Sequence, residues 1–118
     1  PHCVLVVDRV EEADVAGIGA AMEKAPIWPH RVNTEFVRVV NANTLRMRVF
    51  ERGNGETNAC GTGACAAVVA AIENGFCRRA EDITVKVRGG DLTVHVAGDG
   101  EITLSGDTSL VFTGTFDF

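Results

Sequence analysis

A glycine-rich segment that runs directly into a small apolar stretch constrains this chain more than any other feature. Residues 51–63 (ERGNGETNACGTG) hold four of the 13 glycines, which is typical of a loop that bends sharply. Residues 64–74 (ACAAVVAAIEN) are small and apolar on every side, and this pattern predicts a helix that is buried all round. Gly75 follows as a natural helix stop. Such a helix needs other elements of the fold to enclose it.

The rest of the chain supplies mainly strands. A helix is predicted from an N-cap at Asp14 to Lys24, with Pro26 ending it. Glycine-containing turns at 89–91 and 98–100 predict hairpins. Apolar runs predict strands over residues 3–7, 35–40, 45–50, 83–87, 92–96, 102–104 and 110–115. We therefore expect a single α+β domain spanning residues 1–118, in which a strongly curved, mostly antiparallel sheet wraps around one central hydrophobic helix.

Composition narrows the classes of function. The chain has 16 acidic residues against 11 lysines and arginines, a formal net charge of −5, which argues against nucleic acid or an anionic membrane as its main partner. No apolar run approaches the roughly 20 residues that cross a bilayer, and no signal pattern is visible, so we expect a cytoplasmic protein. The four cysteines contain no C-x-x-C pair and the three histidines are scattered singly. We therefore expect reduced thiols and no metal site.

Cys60, followed by Gly61-Thr62-Gly63, stands at the predicted start of the apolar helix. The first turn of a helix has unpaired N–H groups and a partial positive charge, which together bind anions such as carboxylates. The same field lowers the pKa of a thiol placed there. A free cysteine is more often just a small buried residue. The flanking glycines and the polar Glu51 just upstream favour a chemical role for Cys60.

The stretch from Glu51 to Ala66 resembles the signature of diaminopimelate epimerases, which use no pyridoxal phosphate. Pro1-His2-Cys3-Val4 is similar to the end of the family's Gly-Asn-Pro-His motif. Residues 31–36 are similar to its Arg-x-Asn-x-x-Phe segment, and residues 89–92 to its late hairpin. The resemblance covers essentially the whole chain but only the second half of a family enzyme. We therefore expect a C-terminal half whose N-terminal half is absent, and a first residue other than Met fits this expectation.

This resemblance implies cofactor-independent epimerisation of LL- to meso-diaminopimelate, a reaction of lysine and peptidoglycan biosynthesis. One cysteine thiolate removes the α-proton and a second cysteine thiol delivers a proton to the opposite face. Cys60 would be one of these cysteines, while Glu51 and His2 assist proton transfer. The substrate-binding residues that the resemblance implies are Asn33, Arg52, Gly61 and Thr62.

The chain's other cysteines are poorly placed to face Cys60 across a substrate. Cys65 lies five residues further along the same helix and points about 140° around its axis. Cys77 lies past the far end of that helix, roughly 20 Å away. Cys3 alternates with His2 along a strand, so the two point to opposite faces. We therefore expect the partner cysteine on the N-terminal half, and no activity from this chain alone.

Other interpretations stay open. A proline racemase or a phenazine-type isomerase shares the implied fold, although the Glu51-Arg52 pair favours a substrate with a second carboxylate. In a different class, Cys60 forms a mixed disulfide in a redox or binding module, or belongs to a vestigial, non-catalytic site. Glu51 and Arg52 could also be a solvated surface pair, and Asn33 a turn residue before a strand. A homodimer is one of the assemblies that stay open.

Overall fold

Seven strands and two α-helices are present in the computed structural model, which describes residues 1–118. A short 3-10 turn over Val10–Glu12 precedes the first helix. The elements in chain order are β1 (His2–Val6), α1 (Val15–Glu23), β2 (Asn33–Asn41), β3 (Thr44–Glu51), β4 (Gly55–Thr57), α2 (Gly61–Glu73), β5 (Asp82–Val87), β6 (Gly90–Val96) and β7 (Ile102–Gly106). The predicted α+β class is confirmed. Neither helix is long and apolar enough to span a membrane.

The strands form one mixed sheet in the order β1-β2-β3-β5-β6-β7, with β4 paired to the end of β3. The β1–β2 and β3–β5 pairs are parallel and the other pairs are antiparallel. His2 lies opposite Asn33, and Thr34 lies opposite Phe50. The beginnings of β1 and β2 therefore meet the end of β3, which brings residues distant in sequence to one end of the sheet.

Strand alternation divides the structure into two cores. On one face α2 contacts β1, β2, β3, β5, β6 and β7, and its small residues pack against Leu45, Met47 and Val49 of β3. On the other face the 3-10 turn and α1 cover a smaller cluster of Val10, Val15, Phe36 and Phe50. Because successive side chains of a strand point to opposite faces, Glu51 shares the α2 face with Leu45, Met47 and Val49.

Helix α1 begins and ends within one residue of the prediction. Asp14 is its N-cap and accepts a hydrogen bond from the backbone N–H of Gly17. The helix buries Val15, Gly19 and Glu23, whereas Ile18 is 43% exposed. A side chain at Gly19 would begin 2.3 Å from the Phe50 ring. The absence of that side chain lets α1 lie against the sheet.

Three details differ from the sequence-based expectations. Helix α2 is buried along one stripe only, because its opposite side, which includes Cys65, Val69 and Ile72, stays half-buried. The predicted strand over 110–115 is absent, and Leu110 is 83% exposed. An apolar run forms a strand only where a neighbouring edge accepts its hydrogen bonds. Strand β4 was not predicted, since three residues in a glycine-rich loop are too few to show alternation.

Candidate functional site

The end of the sheet where β1 and β2 begin and β3 ends also receives the N-terminus of α2. His2, Glu35 and Glu51 lie there on the face that α2 covers, and Cys60 immediately precedes the helix. The structure thus places the three residues expected to transfer protons, Cys60, Glu51 and His2, in one cluster. Glu35 joins them without having been predicted.

Cys60 is the N-cap of α2. Its backbone is extended, with φ −143° and ψ 108°, and its Sγ accepts a hydrogen bond from the N–H of Gly63 at 3.4 Å. The Thr62 hydroxyl lies 3.7 Å from the same sulfur. The N–H groups of Gly61 and Thr62 form no hydrogen bond with the chain's own acceptors, as expected for the first turn of a helix. These free donors stand beside a thiol, and Thr62 itself is exposed.

The expected lowering of the Cys60 pKa is wrong for this chain. Burial raises the pKa of the thiol above its ordinary value, and the negative charges of Glu51 and Glu35 act in the same direction. The hydrogen bonds from Thr62 and Gly63 lower the pKa, but by less. Cys60 is only 8% exposed, so the loss of hydration disfavours the thiolate more than the helix terminus favours it. At neutral pH Cys60 is therefore a thiol.

Glu51 points inward, as its place in the alternation of β3 predicted. Its Oε2 accepts a hydrogen bond from the Thr57 hydroxyl, which comes from β4 across the glycine loop. This contact orients the Glu51 carboxylate toward the start of α2. Thr57 therefore shapes the loop, and so does Glu56, whose carboxylate binds Arg48 on the other face.

His2 is hydrogen-bonded to Glu35, a residue that was not predicted to belong to the site. Its Nδ1 lies 2.7 Å from Oε1 of Glu35, although the two are 33 residues apart in sequence. Glu35 is fully buried and its Oε2 has no hydrogen-bond partner. Burial raises the pKa of the Glu35 carboxyl to about 8. Burial also lowers the pKa of His2, as do the positive charges of the Pro1 amino group and Arg52.

One signal in the sequence could have identified Glu35. It occupies an inward position of β2, in alternation with Val37 and Val39, which pack in or against the α2 core. A charged residue at such a position is almost never fully buried unless it is paired or functional. Glu51 continues the inward positions of β3 in the same way, so applying this test to both strands would have found both carboxyls.

Asn33 and Arg52 lie side by side at the edge of this cluster. Oδ1 of Asn33 accepts the backbone N–H of Arg52 at 2.9 Å, and Nη1 of Arg52 donates to the carbonyl of His30 at 2.9 Å. The next residue, Gly53, donates its N–H to Oε1 of Glu23 in α1. Asn33 and Glu23 therefore both anchor the loop that carries Arg52. The guanidinium of Arg52 is exposed and keeps further N–H donors free.

The four cysteines are free thiols. Cys77 is buried in the α2 core, and Cys3 and Cys65 are half-buried. Burial raises the pKa of all three. No group of three or more histidine, cysteine, aspartate or glutamate side chains is placed to hold a metal ion. Chemically, the cluster offers one thiol, two carboxyls and one imidazole for proton transfer, beside free N–H donors for an anion.

Comparison with known proteins identifies the family of the chain. The family model for diaminopimelate epimerase matches residues 1–111. The chain belongs to the diaminopimelate epimerase family. It is 47% identical over 116 residues to the diaminopimelate epimerase of Geobacillus kaustophilus (strain HTA426), covering 98% of this chain and 40% of that relative. It is 43% identical over 118 residues to the enzyme of Bacillus cereus (strain ATCC 14579), covering 100% of this chain and 41% of that relative.

The chain thus spans about 40% of the length of these diaminopimelate epimerases. Two solved structures share its fold. One is a phenazine biosynthesis protein of the PhzF family from Bacillus anthracis, with a TM-score of 0.58, 24% identity, and coverage of 86% of this chain and 33% of that one. The other is a putative PhzC/PhzF protein from Clostridium difficile (strain 630), with a TM-score of 0.60, 21% identity, and coverage of 83% and 34%.

Proposed function

We propose that this chain supplies one half of the active site of a pyridoxal-phosphate-independent diaminopimelate epimerase, with Cys60 as one of two cysteines that move the α-proton. The observation that carries the proposal is the start of α2. There a thiol caps the helix, and the N–H groups of Gly61 and Thr62 have no partner in the chain. An inward carboxylate and an imidazole stand at the same end of the sheet.

The free N–H groups of Gly61 and Thr62 suit the α-carboxylate of an amino acid. A helix N-terminus binds anions through its unpaired donors and its dipole. As the α-proton leaves, negative charge builds up on the α-carbon and the adjacent carboxylate, and donors fixed beforehand stabilise that charge. The carboxylate held there lies next to the Cys60 sulfur, which is the neighbourhood that α-proton chemistry requires.

Cys60 acts as the acid in one direction of the reaction. Because burial raises the pKa of its thiol, it carries a proton at neutral pH and delivers it to the α-carbon. The thiolate of a second cysteine removes the original proton from the opposite face, and the roles exchange in the reverse direction. Glu51 and His2 assist by exchanging protons near the cysteine.

The distal end of diaminopimelate fits the pair formed by Asn33 and Arg52. The planar guanidinium of an arginine matches the geometry of a carboxylate. The loop that carries Arg52 is anchored by Asn33 and Glu23 through backbone N–H groups, so the guanidinium is presented from a fixed backbone. Asn33 keeps its amide N–H groups available for the same end of the substrate.

The second cysteine belongs to another polypeptide segment in this proposal. The chain covers about 40% of its curated relatives, and none of Cys3, Cys65 and Cys77 lies at the helix N-terminus. The partner is the N-terminal half of the same enzyme, so the substrate lies between the halves. The cytoplasm is the proposed compartment, in keeping with the four free cysteines.

The test follows exchange of the α-proton of diaminopimelate with solvent deuterium, observed by proton NMR. We expect exchange and epimerisation from a protein that joins this chain to the N-terminal half, and none from this chain alone. Cys60→Ser in the joined protein should lower the rate by at least about 100-fold, since a hydroxyl is a far weaker acid than a thiol. Cys77→Ser, on a cysteine buried away from the helix start, is the matched control and should keep most of the rate.

Two outcomes would contradict the proposal. Exchange catalysed by this chain alone would refute the shared active site. An unchanged rate in Cys60→Ser, with Cys77→Ser equally active, would refute the role of Cys60 and favour the vestigial interpretation.

A further inference from the structure

The buried pair of His2 and Glu35 is built more closely than packing requires. Oε1 of Glu35 and Sγ of Cys60 lie 2.8 and 3.1 Å from the point where a side chain on Gly63 would begin. The carboxyl therefore fills space that only a glycine leaves open. Its other oxygen, Oε2, is buried without a partner. The structure thus places a fully buried acid between the imidazole and the first turn of α2.

We propose that Glu35 is a positioning residue for His2. The carboxyl group of Glu35 fixes the imidazole ring and decides which of the two ring nitrogens carries the proton. In its consequence for catalysis, this inference rests on the proposed function. Its geometric basis does not, since Nδ1 of His2 is bound by Glu35 at 2.7 Å while Nε2 forms no hydrogen bond within the chain. The His2 side chain is 23% exposed, so Nε2 is the nitrogen available to a ligand.

A contact of this length needs one proton between the nitrogen and the oxygen. The lowered pKa of His2 keeps the ring neutral at neutral pH, and a neutral ring leaves two ways to supply that proton. In the first, Glu35 is a carboxylic acid and donates to Nδ1, so the neutral ring carries its own proton on Nε2. In the second, Glu35 is a carboxylate and accepts from Nδ1–H, so Nε2 has a free lone pair. The hydrogen bond at one nitrogen thus sets the chemistry of the other.

The surroundings of Glu35 favour the carboxylic acid at neutral pH. A carboxylate would leave charge on the unpartnered Oε2, which is unfavourable in a buried site. Burial raises the pKa of Glu35 to about 8, the amino group of Pro1 opposes this, and Glu51 adds to it. The thiols of Cys3 and Cys60, whose pKa values are affected by the charge of Glu35, are uncharged at neutral pH because those pKa values are raised.

The consequence is a change of role for His2 within the working pH range of an enzyme. Below about pH 8, the pKa of Glu35, Nε2–H of His2 is a hydrogen-bond donor. Above it, Nε2 becomes an acceptor and a base, without any change in the net charge of the ring. In the proposed reaction, Glu35 therefore determines whether His2 gives or takes a hydrogen bond next to the reacting groups.

The test is the nitrogen NMR spectrum of the histidine rings in the ¹⁵N-labelled full chain, recorded from about pH 6 to about pH 10. We expect His2 to carry its proton on Nε2 at neutral pH and on Nδ1 above about pH 8. The midpoint of this tautomer change should coincide with the midpoint of the Glu35 carboxyl titration. In Glu35→Gln the amide does not titrate, so the tautomer of the neutral His2 ring should stay the same throughout. His30 and His95 are internal controls, since neither contacts Glu35.

Several results would overturn the inference. A single His2 tautomer across this pH range in the unmodified chain would overturn it. Different midpoints for the His2 tautomer change and the Glu35 carboxyl titration would also overturn it, and both are measured without a variant. Persistence of the tautomer change in Glu35→Gln would also do so. In the joined protein, the pH profile of kcat should lose one inflection when Glu35 becomes Gln. Absence of epimerase activity would refute the proposed function alone, because the NMR result does not depend on turnover.

Discussion

The two faces of the sheet carry two charged networks on neighbouring strands, and only one of them is complete. On the α1 face, Arg48 binds both oxygens of Glu56 and donates to the carbonyls of Val10, Glu11 and Ala13. The guanidinium of Arg48 and the carboxylate of Glu56 are both fully paired within this network, which fixes the 3-10 turn to β3.

The network on the α2 face has unused groups. Oε2 of Glu35 is buried without a partner, Nε2 of His2 is free, and the N–H groups of Gly61 and Thr62 are unpaired. Buried polar groups in folded proteins are almost always satisfied, so exceptions need an explanation. Charged residues of similar type therefore stabilise the fold where all their hydrogen bonds are made within the chain. Where some of their polar groups have no partner in the chain, those groups are available to a ligand.

Arg48→Met should have the largest effect on stability. It leaves three backbone carbonyls without their donor and the carboxylate of Glu56 with Arg88 as its remaining partner, which should lower the free energy of unfolding by about 3 kcal/mol. Urea denaturation measures this. Arg46→Met is the control, because its pair with Glu11 is 49% and 54% exposed and should contribute less than about 1 kcal/mol. Equal losses in the two variants would remove the contrast between a closed network and a surface pair.

Gly63→Ala should disturb the open network directly. The added carbon would lie 2.8 Å from Oε1 of Glu35 and 3.1 Å from the Cys60 sulfur. We expect a loss of about 2 kcal/mol in the free energy of unfolding and a large fall in α-proton exchange by the joined protein. Gly98→Ala, where nothing lies within 4 Å, should change neither quantity. A neutral Gly63→Ala would show that the carboxyl is not confined as described.

Glu35→Gln should change how stability depends on pH. Folding raises the pKa of Glu35 from 4.5 to about 8, so in this interval the folded state holds a proton that the unfolded state has lost. Stability should therefore fall as pH rises, by at most about 1.4 kcal/mol per pH unit. Below pH 6.5, the ordinary pKa of a histidine, the lowered pKa of His2 makes stability rise with pH instead. The clearest window for the effect of Glu35 is therefore pH 6.5 to 8. The variant should show a flat profile there, and a matching slope in both proteins would contradict the assignment.

Thr62→Val should have the smallest effect. The Thr62 hydroxyl lowers the pKa of the Cys60 thiol, so its removal should move the pH profile of Cys60 alkylation to higher pH while leaving the free energy of unfolding nearly unchanged. The Cys77 thiol in the same sample is the reference, because it has no hydroxyl partner. A shift of both thiols together would indicate loosened packing instead of a lost hydrogen bond.

Local patterns in the sequence were sufficient for most of the elements. Helix α1 with its Asp14 cap, the alternating faces of β3 and the start of α2 at Cys60 follow from periodicity and capping preferences that act over a few residues. The inward direction of Glu51 followed from the same alternation. The resemblance in the glycine-rich segment agreed with the family, because that segment carries most of the family's fixed residues.

Tertiary structure decided the rest. His2 and Glu35 pair across 33 residues because β1 adds to β2 in parallel, and strand pairing at that distance leaves no local signal. The pKa of the Cys60 thiol moved in the direction opposite to the expected one, since burial beneath the sheet outweighs the helix terminus. The apolar residues near Leu110 form no strand, because strand formation depends on a neighbouring edge as much as on sequence. Sequence alone therefore determined most of the helices and strands, and the fold determined which of their residues meet and how they ionise.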